Sequence, residues 1–185
     1  MTAPRVLALA ATGVAFVQSP RYLAETIADA VDARMTDVRD EQLFWRSVLR
    51  TYELRPSELA PLQARVAHKY CRNLDIWGAL PGLRTAYRLL LVYSGPPAIL
   101  ACWREEYRVV ATFDAVIEAA DWGLVSRDAA LYAHVADAAG ATPDECRVVD
   151  STAAGIAAAE AAGVPAYRYG TAYGLRLWLR GSDGP

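Results

Sequence analysis

Apolar and polar positions alternate in blocks along the chain, and the blocks predict a regular succession of strands and helices. Residues 6–10 and 88–93 are almost continuous apolar runs, which are typical of strands buried on both faces of a parallel sheet. Shorter strands are predicted at residues 115–118, 147–150 and 165–169. Helical spacing of apolar residues predicts helices at residues 74–84, 128–139, 153–162 and 171–179. This alternation predicts a doubly wound (Rossmann-like) α/β fold with a parallel sheet and right-handed crossovers.

The alternation is interrupted after the first strand by a long stretch with helical periodicity only. Three helices are predicted in it, and they begin at Pro20, Asp40 and Pro56. The third is expected to carry Lys69, the only lysine of the chain, and to extend to Tyr70. Such a block can cover the carboxyl edge of the sheet, where open α/β sheets bind ligands. The predicted organisation is a small α-helical cap at residues 18–73, inserted into an α/β core of residues 1–17 and 74–185.

Composition narrows the class of protein. The chain has 185 residues, of which 54% are hydrophobic and 22% charged, and this favours a globular protein of one domain or a core with a modest insertion. A net charge of −2 gives no support for binding to nucleic acid or to an anionic membrane. The three cysteines show no CxxC pattern, which favours reduced thiols and a cytoplasmic location. With only two histidines, a zinc site is not expected.

The second half of the chain contains a series of short motifs. Residues 113–132 read Phe-Asp-Ala-Val-Ile-Glu-Ala-Ala-Asp-Trp-Gly-Leu-Val-Ser-Arg-Asp-Ala-Ala-Leu-Tyr, residues 148–151 read Val-Val-Asp-Ser, and residues 161–164 read Ala-Ala-Gly-Val. In order and spacing they resemble the haloacid dehalogenase-like (HAD) superfamily, whose members commonly read FDxVxxSxExGxxKPDPxIY, then PxExxxVDD, then a helix ending in AAGM. The resemblance covers essentially the whole chain. It implies a Rossmann-like core with a helical cap inserted after the first strand.

The resemblance also implies a site for phosphoryl transfer or dehalogenation, and its first motif is altered in this chain. In the family the first strand ends in DxDGT or DxDGV, where the first aspartate is the nucleophile and the second is the general acid/base. The matching positions here are Ala10 and Thr12. A methyl group cannot attack, and a threonine nucleophile would need an activating base that the nearby sequence does not offer. Both positions are therefore expected to have lost their catalytic role.

The other three motifs are only partly kept. The second motif is a serine or threonine, and Ser94 matches it. The third is a lysine that neutralises the transferred group, and Ser126 takes its place. The fourth is an acidic pair that holds magnesium, of which Asp150 remains while Ser151 replaces the second acid. Because magnesium generally needs more than one protein carboxylate, no metal or other cofactor is expected, and Mg²⁺ would be required only if the degenerate site were still active.

Several of these polar residues also allow structural interpretations. Asp150, as a lone carboxylate at a strand end, is expected to cap the following helix, although it could anchor a metal or hydrogen-bond to Thr12. Ser94 and Gly95, at a predicted helix start, could bind an anion or form an ordinary cap. The candidate ligand-binding residues are thus Thr12, Ser94, Gly95 and Asp150. Arg127 could supply the missing positive charge, but a solvated surface position is favoured.

These losses favour a pseudoenzyme, a hydrolase-like protein that no longer performs the family reaction. It would be retained for binding a protein partner or a small molecule in the cleft between cap and core, and a homodimer is left open. One alternative is an enzyme that uses the same cleft for other chemistry, such as an isomerisation, cyclisation or dehydration. A weak HAD-type hydrolase is the third hypothesis.

Overall fold

The computed structural model of the protein describes residues 5–182, without the side chains of residues 37 and 182. Its strands are β1 (Arg5–Ala10), β2 (Phe16–Gln18), β3 (Tyr70–Arg72), β4 (Tyr87–Tyr93), β5 (Ala115–Glu118), β6 (Cys146–Asp150) and β7 (Ala166–Arg168). Its helices are α1 (Thr26–Asp32), α2 (Glu41–Thr51), α3 (Leu59–His68), α4 (Leu74–Leu83), α5 (Pro97–Tyr107), α6 (Val109–Thr112), α7 (Ala129–Ala139), α8 (Ala153–Ala161) and α9 (Ala172–Ser182). No helix within residues 5–182 has both the length and the apolar character to cross a membrane.

A five-stranded parallel sheet in the order β5-β4-β1-β6-β7 forms the centre of the molecule. Successive residues of β1 point to opposite faces: Leu7 and Leu9 pack in one hydrophobic cluster, whereas Val6 and Ala8 pack in the other. Full burial of one leucine side chain contributes about 1.5–3 kcal/mol, so a strand buried on both faces is strongly favoured here. The predicted doubly wound α/β fold is confirmed.

A second, two-stranded antiparallel sheet interrupts this core just after β1. In it, β2 pairs with β3, with Val17 opposite Cys71. The backbone amide of Ser19 donates to the carbonyl of Lys69 at 2.8 Å and closes the base of the hairpin. We call residues 19–69, between the two strands, the helical insertion. It includes α1, α2 and α3, and the predicted cap of residues 18–73 spans it together with β3.

Two local predictions in this region are wrong. The first helix does not begin at Pro20 but at Thr26, because Ser19 accepts hydrogen bonds from the amides of Arg21 and Tyr22 and so builds a turn. The third helix ends at His68, and Tyr70 belongs to β3. Pairing with β2 fixes residue 70 as extended backbone, which competes with continuation of the helix.

The insertion packs on one face of the sheet through a shared hydrophobic cluster. Phe44 of α2 and Leu62 of α3 lie in the same cluster as Leu9 of β1. The indole of Trp103 in α5 donates to the carbonyl of Ala67 at 3.0 Å and joins the core to the insertion. The predicted start of α2 is confirmed, because the Asp40 side chain accepts from the amide of Leu43 at 2.9 Å. These contacts fix the insertion against the core.

Candidate functional site

A cavity of about 110 Å³ lies where the carboxyl ends of β1, β4 and β6 meet. The sheet and the loops after its strands contribute the positions predicted from the motifs, namely Ala10, Thr12, Ser94, Ser126, Asp150 and Ser151. The helical insertion and β3 contribute Asp32, Met35, Thr36 and Tyr70. The structure therefore brings all six motif positions together around one cavity. Gly95 and the exposed Arg127 do not line it.

The loop that follows β1 turns sharply at Gly13. Its amide donates to the carbonyl of Phe16 at 2.7 Å. Gly13 has a φ of +81°, which side chains rarely adopt, and a Cβ built there would collide with Oγ of Ser151. The turn therefore requires glycine. Ala10 at the end of β1 and Thr12 in this turn both line the cavity, and neither carries the charge of a nucleophilic carboxylate.

Asp150, at the end of β6, is held by three hydrogen bonds and is only 3% exposed. Its Oδ1 accepts from the amide and the hydroxyl of Thr152 at 2.7 and 2.8 Å. Its Oδ2 accepts from the hydroxyl of Tyr132 at 3.2 Å. The cap of α8 is Thr152, whose hydroxyl accepts from the amide of Gly155 at 3.0 Å. The prediction that Asp150 caps α8 is therefore wrong. Thr152 is the capping residue, and Asp150 holds it in place.

The surroundings of Asp150 are neutral and tightly packed. Burial, and then the nearby charge of Asp150, raise the pKa of Tyr132 far above its usual range, so the phenol remains a hydrogen-bond donor. A Cβ at Gly155 would collide with the Asp150 carboxylate, so that position also requires a glycine. The groups that hold Asp150 are therefore two hydroxyls and an amide, without a cation.

Ser94 is joined by a hydrogen bond to a second motif position, Ser126. Its Oγ accepts from the amide of Ser126 at 2.9 Å and so positions the loop that precedes α7. The start of α5 is occupied by a carboxylate from the insertion, because Oε1 of Glu41 accepts from the amide of Ala98 at 2.8 Å. Helix N-termini favour anions. The amide of Ala98 at this helix start is therefore already bonded to Glu41 and is not free for an external anion.

The insertion side of the cavity holds a charged cluster that sequence reasoning did not single out. Lys69 Nζ lies 2.7 Å from Oδ1 of Asp29 and 2.7 Å from Oδ2 of Asp32. The hydroxyl of Tyr70 donates to the other oxygen of Asp32 at 2.6 Å. Asp29 and Asp32 are three residues apart on α1, a spacing that places them on one helix face and was visible in the sequence. Only Asp32 and Tyr70 of this cluster line the cavity.

The protonation states within this cluster follow from its contacts. Burial alone would lower the pKa of Lys69, but hydrogen bonds to Asp29 and Asp32 outweigh it and raise the pKa. The hydrogen bond from Lys69 lowers the pKa of Asp29. Burial and the contact with Asp32 raise the pKa of Tyr70 far above its usual range. At neutral pH the cluster therefore contains one ammonium, a protonated phenol and ionised Asp29.

The site does not fit a magnesium ion of the kind the resemblance implies. Magnesium is bound through carboxylates and substrate phosphates, with near-octahedral geometry. Of the two carboxylates in the cavity lining, Asp150 accepts hydrogen bonds with both oxygens, and Asp32 on the opposite side is paired with Lys69 and Tyr70. Within the described part of the chain, no group of three histidine, cysteine, aspartate or glutamate residues could hold a metal ion.

Comparison with solved structures identifies the fold. A HAD family enzyme from Bacteroides thetaiotaomicron matches with a TM-score of 0.73 at 13% identity, over 92% of this chain and 96% of that one. A predicted HAD-like family hydrolase from Porphyromonas gingivalis matches with a TM-score of 0.72 at 17% identity, over 96% and 98%. The L-2-haloacid dehalogenase from Xanthobacter autotrophicus matches with a TM-score of 0.68 at 20% identity, over 99% and 84%. The chain thus has the HAD-like fold.

The same comparison includes ligand complexes of a relative. The Bacteroides enzyme is known in complex with magnesium and inorganic phosphate, both as wild-type protein and as an aspartate-to-alanine mutant. No family model matches the sequence of the present chain, and no curated protein is significantly similar to it. At these levels of identity the structural likeness shows the fold alone.

Proposed function

We propose that this protein uses the HAD-like fold for binding, and that it does not hydrolyse phosphate esters or haloacids through an aspartyl intermediate. The observation that carries the proposal is the chemistry at the sheet edge. Ala10 and Thr12 stand where the resemblance implies a nucleophile and a general acid/base, and Asp150 is immobilised by Thr152 and Tyr132. The carboxylates needed for attack and for metal binding are therefore missing.

The Thr12 hydroxyl is a poor substitute for the lost aspartate. A threonine nucleophile must be activated by a base within hydrogen-bond reach. No histidine or lysine lines the cavity among the described residues. The carboxylate that the sheet edge contributes, Asp150, accepts hydrogen bonds from other groups with both oxygens. Loss of a nucleophile and its base costs roughly 10⁴-fold or more in rate.

The number of altered positions supports loss of activity more strongly than any single one. The aspartate-to-alanine mutant of the Bacteroides enzyme still forms a complex with magnesium and inorganic phosphate. One such replacement is therefore compatible with ligand binding in a protein of this fold. The present chain differs also at Ser126 and Ser151, where the resemblance implies a cation and a second magnesium ligand.

The cavity itself supports a small-molecule ligand. It is concave, has a volume of about 110 Å³, and combines apolar side chains with a few polar groups. Ligand sites typically have this composition. A protein partner in the cleft is the other occupant that the sequence suggested, but a cavity of this size at the sheet edge fits a small molecule better.

A second candidate function is catalysis of a different kind in the same cavity. It is favoured by the contact between Asp32 and Tyr70, two groups that line the cavity and are joined at 2.6 Å. A carboxylate and a phenol can move protons in an isomerisation, cyclisation or dehydration. Such a reaction would need neither an aspartyl intermediate nor a metal.

A hydrolase screen tests the proposed function. Phosphate esters, phosphonates and 2-haloacids would be incubated with magnesium and a high concentration of the protein, alongside Asp150→Asn and the control Asp121→Asn. Asp121 is exposed and lies outside the cavity lining. We expect no turnover above the buffer blank for any of the three proteins. Magnesium-dependent turnover that persists in Asp121→Asn and disappears in Asp150→Asn would overturn the proposal.

A further inference from the structure

The charged side chains that line the cavity are all acidic. They are Asp32 on the insertion side and Asp150 on the sheet side, and no arginine, lysine or histidine of the described chain joins them in the lining. A site that binds phosphate normally presents a cation or several free amides to it. The sign of the charge at this cavity is therefore opposite to the sign that an anionic ligand requires.

The negative charge is only partly neutralised by neighbouring groups. Lys69 is shared between Asp29 and Asp32, so one ammonium faces two carboxylates. Asp150 is held by neutral hydroxyls and an amide. Arg168 approaches from outside, with Nε 3.4 Å from the carbonyl of Ser151, but it is exposed and its charge is screened by solvent. The charged side chains at the cavity and in contact with its lining, Asp29, Asp32, Asp150 and Lys69, therefore carry a net negative charge.

Of the two acids, Asp32 is the better placed to receive a ligand. A carboxylate offers about four lone-pair sites, and Asp32 uses one on each oxygen, for Lys69 and Tyr70. Its side chain is 14% exposed, whereas Asp150 is 3% exposed and accepts three hydrogen bonds. The phenol of Tyr70 fixes the Asp32 carboxylate at the cavity wall. Asp32 therefore has both the free acceptor capacity and the fixed position that recognition needs.

We propose that the cavity binds a small organic cation, an amine whose ammonium group is held by the Asp32 carboxylate and whose apolar part contacts the alanine-rich sheet edge. This inference rests on the proposed function, because it names the ligand of the same site. Ala8, Ala10, Ala11 and Val92 supply apolar surface next to the two acids. The cavity volume of about 110 Å³ is somewhat smaller than the ~150 Å³ that holds a benzene ring. The part of the ligand that the cavity encloses therefore has roughly five non-hydrogen atoms.

A matched series of probes tests the charge preference on the unaltered protein. Amide chemical shifts would be followed by NMR at neutral pH during titration with n-butylammonium, 1-butanol, butyrate and inorganic phosphate. The first three share a four-carbon skeleton and differ in the charge of the head group. We expect n-butylammonium to bind at the amides of residues 10–13 and 32–36, and 1-butanol to bind at least about tenfold more weakly, because it lacks the charge-assisted hydrogen bond. Butyrate and phosphate should give no shifts centred on these residues.

Two isosteric variants on the same helix locate the recognition group. Asp32→Asn removes the negative charge of a residue that lines the cavity. Asp29→Asn also removes one negative charge next to Lys69, but Asp29 does not line the cavity. We expect Asp32→Asn to weaken n-butylammonium binding by about 10- to 100-fold, and Asp29→Asn by less than about fivefold. Thermal unfolding followed by circular dichroism checks that both variants are folded. If either is not, the probe series on the wild-type protein decides.

Several results would overturn the inference. They are absence of n-butylammonium binding, equal binding of 1-butanol, tighter binding of butyrate or phosphate, and equal losses in the two variants. Its failure can be told apart from failure of the proposed function. Anion binding without turnover contradicts the cation site alone, whereas magnesium-dependent hydrolysis in the screen contradicts the binding role itself.

Discussion

The two sides of the cavity hold their charged groups in different ways. On the sheet side Asp150 is buried among neutral donors and stabilises the start of α8 through Thr152. On the insertion side Asp29, Asp32 and Lys69 form an ion-pair cluster. The resemblance implies the reverse arrangement, with several carboxylates and a lysine at the ends of the core strands.

This difference sets the packing constraints of the sheet side apart from the ion pairing of the insertion side. At the sheet edge a Cβ at Gly13 would collide with Ser151 and a Cβ at Gly155 with Asp150, and three hydrogen bonds hold the Asp150 carboxylate. These requirements act whether or not a reaction takes place. On the insertion side the charged groups are held instead by ion pairs and by the hydrogen bond from Tyr70.

Adding a single methyl group at Gly155 should disrupt the packing of the sheet side. We expect Gly155→Ala to lower the free energy of unfolding by about 2–3 kcal/mol, because the added Cβ meets the Asp150 carboxylate and α8 must shift. Gly78→Ala is the control, since a Cβ at this helical position meets nothing within 4 Å. It should be neutral or stabilising by up to about 1 kcal/mol. Urea denaturation measures both, and equal effects would contradict the account.

The ion-pair cluster of the insertion side can be broken at its only cation. We expect Lys69→Met to cost about 2 kcal/mol, less than for a fully buried pair, because Asp29 is 36% exposed. Arg65→Met is the control: Arg65 pairs with Glu25 at 2.7 Å, but its side chain is 44% exposed. Its loss should change the free energy of unfolding by about 0.5 kcal/mol or less. A Lys69→Met protein as stable as Arg65→Met would show that the cluster is not stabilising.

The contact between Tyr132 and Asp150 should contribute less than either change above. Tyr132→Phe keeps the ring and removes the hydroxyl that donates to Asp150 at 3.2 Å. We expect a loss of about 1 kcal/mol in the free energy of unfolding, the value of an ordinary hydrogen bond, because the 3.2 Å contact is long and Asp150 keeps two further partners. Tyr173→Phe serves as control, because Tyr173 is 65% exposed. A loss no larger than in the control would mean that the contact does not hold Asp150.

Acidification should weaken the ion-pair cluster of the insertion side, because Asp29 becomes protonated. Because Lys69 lowers the pKa of Asp29 in the folded state, this contribution to stability is present above the unfolded pKa and is lost as pH falls through the folded pKa. The difference in free energy of unfolding between wild type and Lys69→Met should therefore shrink below about pH 4. Denaturation curves from neutral to acidic pH measure it. A constant difference over that range would contradict the assigned ion pair.

The sheet could be predicted from the sequence because strands buried on both faces leave nearly continuous apolar runs. β1 and β4 lie within one residue of the predicted ranges. The start of α1 could not be predicted from the sequence, because Ser19 and Pro20 signal a helix and a turn equally well. Only the hydrogen bonds that Ser19 accepts show that the chain forms a turn there. Local signals of this kind are ambiguous without tertiary contacts.

The candidate site could be predicted only in part, for a similar reason. The motif positions follow the ends of parallel strands, so their order along the chain places them at one edge. The pair of Asp32 and Tyr70 joins residues 38 positions apart. It depends on the register of the β2–β3 hairpin, in which Gln18 lies opposite Tyr70, and no periodic pattern encodes that register.

The most direct test of the central claim is a titration with Mn²⁺ in the presence of inorganic phosphate, followed by NMR line broadening. Mn²⁺ reports a magnesium-type site without any need for turnover. The account predicts no broadening centred on the amides of residues 10–13 and 150–152. Selective broadening there, present in the Asp121→Asn control and abolished in Asp150→Asn, would show that the cavity binds a magnesium-type metal ion and would contradict the account.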